Sequence, residues 1–131
     1  MTLLQKKLKK DQVNLLYKEA SLISASYRGT FFDQDKTPDN LASQFKSIDT
    51  YLNIRVWIVN REGLIVADSS NVDNPPAVNI KDLDPDFLNK TISENTMFET
   101  LFDEPMLSII QRVDYNFRLQ GYIVLHSPMR E

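Results

Sequence analysis

The chain has 131 residues, 42% hydrophobic and 25% charged, with only three glycines; that is enough to bury roughly two-thirds of the unfolded surface around one core, and it excludes a disordered or low-complexity segment. Fifteen basic against 18 acidic side chains give a formal charge of -3, so there is no broad basic footprint for nucleic acid. Cysteine is absent, which removes disulfides, thiolate chemistry and the common structural zinc sites, and no apolar run reaches the roughly 20 residues of a membrane span.

From Thr2 to about Arg28 neither Pro nor Gly interrupts the chain, and apolar residues return at helical spacing. One stripe runs Leu4, Leu8, Leu15, Leu22; a second runs Val13, Ala20, Ile23 and Tyr27, with Leu16 beside it. Lys6, Lys7, Lys9 and Lys10 crowd the first half, whereas the second half is apolar over a broader arc. The pattern predicts a helix that projects at its start and packs on a core near its end, stopped at Gly29.

A second helix is predicted to open with Thr37 as cap, Pro38 in the first position and Asp39 in the first turn. Leu41, Phe45, Ile48 and Leu52 mark its buried face. Ile54-Arg55-Val56-Trp57-Ile58-Val59 and Leu64-Ile65-Val66-Ala67 are then dense in β-branched and aromatic residues, and Asn60-Arg61-Glu62-Gly63 between them reads as a turn with Gly in the left-handed position. This is a β-hairpin. Ser69 to Ile80, with Pro75-Pro76, is loop, and Asp84-Pro85-Asp86 predicts a short helix through about Asn95. Three strands complete the pattern, at Met97–Phe102, Met106–Tyr115 and Leu119–His126. Turns are expected at Asp103-Glu104-Pro105 and around Asn116, so that the last two strands form a long antiparallel pair.

The expected architecture is α+β: a central five-stranded antiparallel sheet with a long N-terminal helix and shorter helices on its faces. The hairpin strands carry few polar positions, so the sheet's centre should be covered on both faces.

The segment Arg55-Val56-Trp57-Ile58-Val59-Asn60-Arg61-Glu62-Gly63-Leu64-Ile65-Val66-Ala67-Asp68-Ser69 resembles the central hairpin of the PAS-like extracytoplasmic sensor domains called Cache or PDC domains. Gly121-Tyr122-Ile123-Val124-Leu125-His126-Ser127-Pro128 is similar to their last strand in sensor histidine kinases of Gram-positive type. The order of elements agrees over nearly the whole chain. The resemblance implies one extracytoplasmic domain over residues 1–131, with the long helix at 1–28 and the sheet and short helices at 29–131. It implies transmembrane helices before the first helix and after the last strand, and a location in the cell membrane. The domain itself would not be an enzyme; the full-length protein would be a histidine kinase whose autophosphorylation follows a stimulus, such as a small-molecule ligand. The long helices of such families often pair in a homodimer, which makes Leu4, Leu8, Leu15 and Leu22 the candidate seam, unless that stripe covers the sheet of its own chain. Against the resemblance, the basic cluster would sit near the outer membrane face, which the positive-inside tendency disfavours. The rival readings are a chemoreceptor or cyclic-dinucleotide enzyme carrying the same module, an intracellular PAS-like dimerisation scaffold, and a hydrolase.

Few residues carry chemistry. His126 is the only histidine, and its neighbour Ser127 points to the other side of a strand, so the two form no catalytic dyad. An edge or structural histidine, a ligand contact and a proton sensor all stay open for it. Asp82, Asp84 and Asp86 mimic the opening of a calcium loop, but Phe87 stands where that loop needs Gly and Ser93 where it needs a bidentate Glu; helix capping by Asp84 and Asp86 is the better reading. Asn89-Lys90-Thr91 matches a glycosylation triplet by chance. Arg55 and Trp57, two apart on a central strand, share a face. They form a candidate ligand site with His126, where Arg55 holds a carboxylate and Trp57 stacks on the ligand; alternatively Trp57 is core and Arg55 pairs with a nearby acid. A bulge at Gly63 would put Asp68 opposite Val56, on the face away from Arg55, so no pair between Arg55 and Asp68 is expected. No cofactor, metal, phosphate-loop or nucleophile-elbow motif appears.

Overall fold

The computed structural model describes residues 2–27, 39–71, 74–96 and 98–129. In chain order the elements are α1 (Leu3–Tyr27), α2 (Asp39–Leu52), β1 (Arg55–Asn60), β2 (Ile65–Asp68), α3 (Ile80–Leu83), a 3-10 turn at Phe87–Asn89, β3 (Ile92–Asn95), α4 (Glu99–Phe102), β4 (Met106–Tyr115) and β5 (Arg118–Pro128). The five strands form one sheet in the order β2-β1-β5-β4-β3, antiparallel at every junction. This is the expected α+β plan with a long N-terminal helix.

Helix α1 opens on a reciprocal cap: Thr2 Oγ1 accepts from the Gln5 amide at 3.1 Å, and Gln5 Oε1 accepts from the Thr2 amide at 2.8 Å. Its second stripe does the packing. Leu16, Ala20 and Ile23 are buried with Phe45 and Ile48 of α2 against Val56, Ile58, Leu107, Ile109, Ile123 and Leu125 of the sheet. The first stripe, Leu4, Leu8, Leu15 and Leu22, stays exposed, so it is not the stripe that covers the chain's own sheet. Thr37 and Pro38 and the side chains of Tyr27 and Leu41 lie outside the described residues.

The other face of the sheet carries the second core. Trp57, Val59, Ile65, Ile110, Tyr122 and Val124 point into it and are covered by Ile80, Phe87, Leu88 and Phe98. Strands β1 and β5 are thus buried on both faces, as their composition requires.

Three expectations need correction. The strand expected at 97–102 is not found over 98–102, Met97 lying outside the described residues: β3 is Ile92–Asn95, pairing with Met106–Ile109, and Glu99–Phe102 is helical. Phe98, Leu101 and Phe102 fall three and four apart, a helical spacing that turns them toward one aromatic cluster, and the Leu101 and Phe102 amides both bond the Phe98 carbonyl. The helix expected to reach Asn95 is only the turn at Phe87–Asn89, because Asp86 makes no side-chain cap bond and Asp84 accepts from the Asp86 amide within a local turn. The cap lies earlier, where Asn79 accepts from the Lys81 amide at the start of α3.

The third correction is one of register. Val59 faces Ile65, but Ile58 faces Ala67 and Trp57 faces Asp68. Val66 is therefore the extra residue of a bulge, and Asp68 moves to the face of Trp57 and Arg55 instead of lying opposite Val56.

Gly63 closes the hairpin turn at φ +95°, its amide bonded to the Asn60 carbonyl at 3.0 Å and its carbonyl accepting from the Ile80 amide at 2.9 Å. A Cβ there would stand 2.6 Å from Asn79 Oδ1 and 2.9 Å from Lys81 Cγ. Gly63→Ala is expected to destabilise the fold by roughly 1–3 kcal/mol through backbone strain and this clash, read as a lowered urea midpoint at unchanged slope.

Candidate functional site: a polar row across the sheet

On β1, Arg55, Trp57 and Val59 share a face. Strand pairing sets Arg55 opposite His126, His126 opposite Ser108, and Ser108 opposite Ser93. One row of polar side chains therefore crosses four strands on the face covered by the short helices.

Because this face is dry, each member needs an internal partner. Arg55 finds Asp68, the diagonal neighbour that the bulge brings round: Nε and Nη2 donate to the two carboxylate oxygens at 2.9 and 2.6 Å. Asp68 is fully buried and Arg55 half-buried, a two-pronged geometry that strengthens a charge-assisted bond. The pair that the sequence reading set aside is thus present. Asp68 also accepts from the Ser70 amide, and Asp49 of α2 accepts from the hydroxyls of Ser69 and Ser70 at 2.8 and 2.7 Å. The end of β2 is pinned to α2.

His126 is not at a strand end, since β5 continues to Pro128. It is fully buried, with Nδ1 2.7 Å from Ser108 Oγ. Asn95 Nδ2 donates to that same oxygen at 3.1 Å. Nε2 has no hydrogen-bond partner among the described residues, and neither has Trp57 Nε1. Burial, with the nearby Arg55 cation adding to it, pushes the His126 pKa down to about 3. The ring is neutral at physiological pH.

Aromatic rings enclose the imidazole. Trp57 meets it edge-on at 4.2 Å between centroids and Phe102 lies at 4.8 Å; Trp57 stacks on Phe102 at 5.4 Å, and the Arg55 guanidinium carbon is 4.9 Å from the Phe102 centroid. A cavity of about 210 Å³ opens beside them, lined by Asp49, Arg55, Ser70, Phe102, Glu104 and His126 among others. It is smaller than the roughly 300–1,000 Å³ of drug-sized ligand pockets. Its chemistry suits binding: a guanidinium with donors to spare shares the cavity wall with two carboxylates and a hydroxyl.

The structure brings Arg55, Trp57 and His126 together, with Arg55 and His126 at the cavity wall and Trp57 packed behind Phe102. Asp68, Ser108, Asn95 and Phe102 were missed. A serine inside the apolar run Leu107-Ser108-Ile109 was the one signal available for Ser108. On the opposite face of the sheet, Gln12 Nε2 of α1 donates to Ser127 Oγ and to the Pro128 carbonyl, both at 2.7 Å. No group of three or more His, Cys, Asp or Glu side chains is gathered among the described residues, and no helix among them is long and apolar enough to cross a membrane.

No family model matches the sequence, nor does any curated protein. Solved structures do match. The sensory domain of the Campylobacter jejuni chemoreceptor Tlp3 with isoleucine bound superposes with a TM-score of 0.64 at 12% identity, covering 95% of this chain and 54% of that one. A second structure of the same sensory domain gives 0.63 at 11% identity, covering 95% and 56%. The chain shares the PAS-like fold of these neighbours and spans about half their length.

Arg55→Met leaves the Asp68 carboxylate buried and unpaired, so a loss of roughly 3–5 kcal/mol is expected, with much of it recovered in the double variant Arg55→Met/Asp68→Asn; chemical denaturation of the single and double variants checks this. His126 gives a pH signature. Its folded-state pKa of about 3 lies below the ordinary 6.5, so between these values the unfolded chain binds a proton that the native chain refuses. The His126 contribution to stability is complete above pH 6.5 and is lost on acidification, at up to about 1.4 kcal/mol per pH unit. In His126→Gln, the difference in stability between pH 6.5 and pH 5 should shrink accordingly; an unchanged pH slope contradicts the assignment.

Proposed function

We propose that this chain is the extracytoplasmic sensing domain of a membrane-bound sensor histidine kinase, a binding module that controls autophosphorylation without catalysing anything itself. The observation that carries the reading is a single peptide bond. His126 lines the cavity on one face of β5, and the next residue, Ser127, holds Gln12 of α1 on the other. A ligand in the cavity that displaces the end of β5 thereby acts on the two segments that, in a receptor, continue into membrane spans.

Arg55 supplies the donors for a small acidic or zwitterionic molecule, and Asp49 and Glu104 supply acceptors for its other end. Such a ligand moves the equilibrium only by its differential affinity for two arrangements of β5 against α1, and a coupling of roughly 1–3 kcal/mol gives graded control. The exposed stripe Leu4, Leu8, Leu15 and Leu22 supports pairing of α1 with its copy in a homodimer. The segment Gly121–Pro128, similar to the last strand in histidine kinases of Gram-positive type, supports the kinase output.

The likeness to the Tlp3 sensory domain favours a second reading, a chemoreceptor carrying the same module. Full-length protein in membrane vesicles separates them: labelling of a histidine from ATP is expected, and its absence with intact sensory fold defeats the kinase reading. In the same vesicles, Gln12→Leu should collapse the ratio of stimulated to basal phosphorylation toward one, and deletion of residues 1–28 should do the same. Thermal shift against small carboxylic acids and amino acids, with and without Arg55, identifies the stimulus class.

A further inference from the structure

The hairpin joining β4 to β5 ends in an unusual way. Tyr115 pairs with Arg118, leaving the two-residue turn Asn116-Phe117 with φ of +53° and +63°. This is the primed turn that suits the twist of a hairpin, and its second position is ordinarily Gly. Asn tolerates the left-handed region; a bulky aromatic does not. Phe117 adopts it while fully exposed, so no packing within the fold compensates for the strain.

The surroundings of the tip are equally one-sided. Val113 faces Gly121 and Asp114 faces Leu119, so Gln120 is the extra residue of a bulge that bends the hairpin. Beneath the tip lies an open cleft of about 560 Å³ lined by Arg61, Tyr115, Asn116, Arg118, Leu119 and Gln120. Arg61 comes from the turn between β1 and β2, and neither it nor Arg118 has an acidic partner among the described residues. The tip lies at the opposite end of β5 from the Gln12 contact, eleven residues away, which is roughly 35 Å at the rise of an extended strand.

We infer that this tip is a docking surface for an acidic segment of another protein, with Phe117 as the presented anchor and Arg61 and Arg118 as the charges that receive it. Strain held at an exposed residue is a mark of function when the rest of the fold gains nothing from it. Aromatic and arginine side chains are the groups that dominate protein interfaces, and two unpaired guanidiniums beside one aromatic select carboxylates flanking an apolar residue. The site is distinct from the cavity at Arg55 and His126 and does not depend on the receptor reading.

The test uses the soluble 131-residue chain, isotope-labelled for NMR, titrated with a synthetic peptide of glutamates around a central leucine. Amide shifts confined to Arg61 and Tyr115–Gln120 are expected, with affinity falling at least tenfold in Phe117→Gly and in Arg61→Glu/Arg118→Glu. Phe117→Gly should at the same time raise Tm by roughly 2–6 °C, since Gly relieves the strained position. A folded, more stable protein that has lost the peptide is the signature of a residue kept for binding. Equal binding of sulfated dextran marks mere charge attraction and overturns the proposal, as does loss of self-association in Phe117→Gly, which assigns the tip to a second copy. Absence of shifts at the tip, or an unchanged or lowered Tm in Phe117→Gly, overturns it as well.

Discussion

Strands β1 and β5 are covered on both faces, and that constraint governs the site. A polar side chain in their buried stretches has little access to water, so most are answered from within the protein, Trp57 Nε1 and His126 Nε2 being the exceptions. Arg55 is answered by Asp68 and His126 by Ser108. Burial costs a buried ion pair most of its Coulombic gain, so the Arg55–Asp68 pair is weak as a source of stability and strong as a determinant of geometry. It holds the guanidinium at the cavity wall over Phe102, and it requires β2 to arrive in one register only. The bulge at Val66 is what delivers that register: without the extra residue Asp68 would face the helices α1 and α2, and Arg55 would have no acid on its side of the sheet.

The same constraint explains why His126 stays neutral. A charged imidazole among Trp57, Phe98 and Phe102, beside a permanent cation, would be both desolvated and repelled. Ser108 engages Nδ1 and leaves Nε2 without a partner among the described residues. A fully satisfied network would rigidify the end of β5; one ring nitrogen left open keeps this network incomplete.

What the sequence made legible follows the strength of its patterns. Helix α1, the hairpin around Gly63 and the β4–β5 pair have long, uninterrupted periodicities or dense β-branched runs, and their residues pack as those patterns require. β3 escaped because Ile92-Ser93-Glu94-Asn95 is a short polar edge strand whose side chains alternate toward solvent, so burial left no apolar run to read. The strand expected over 97–102 misled for the opposite reason: Phe98, Leu101 and Phe102 join the aromatic cluster from a helical turn. The triple Arg55, Trp57, His126 was visible as a group because residues two apart on a strand share a face, but its electrostatics were not. A one-residue bulge reverses the face of everything beyond it, and whether the extra residue sits at Gly63 or at Val66 is decided by tertiary bonds such as that from the Ser69 amide to the Val56 carbonyl. No local pattern encodes those.

The alternation that defeats a Ser–His dyad also ties the last strand to both faces of the sheet. Successive residues of a strand face opposite sides, so His126 can belong to the cavity and Ser127 to the α1 contact without any intervening element. Gln12, with two bonds to Ser127 and Pro128, fastens the end of that strand to α1. Each such bond contributes on the order of 1 kcal/mol. Two of them are comparable to the roughly 1–3 kcal/mol of coupling that the proposed sensing role requires. Under the proposed sensing role, stronger apolar locking at this position would stabilise the domain and weaken its response, a physical reason for a glutamine at this buried position of α1.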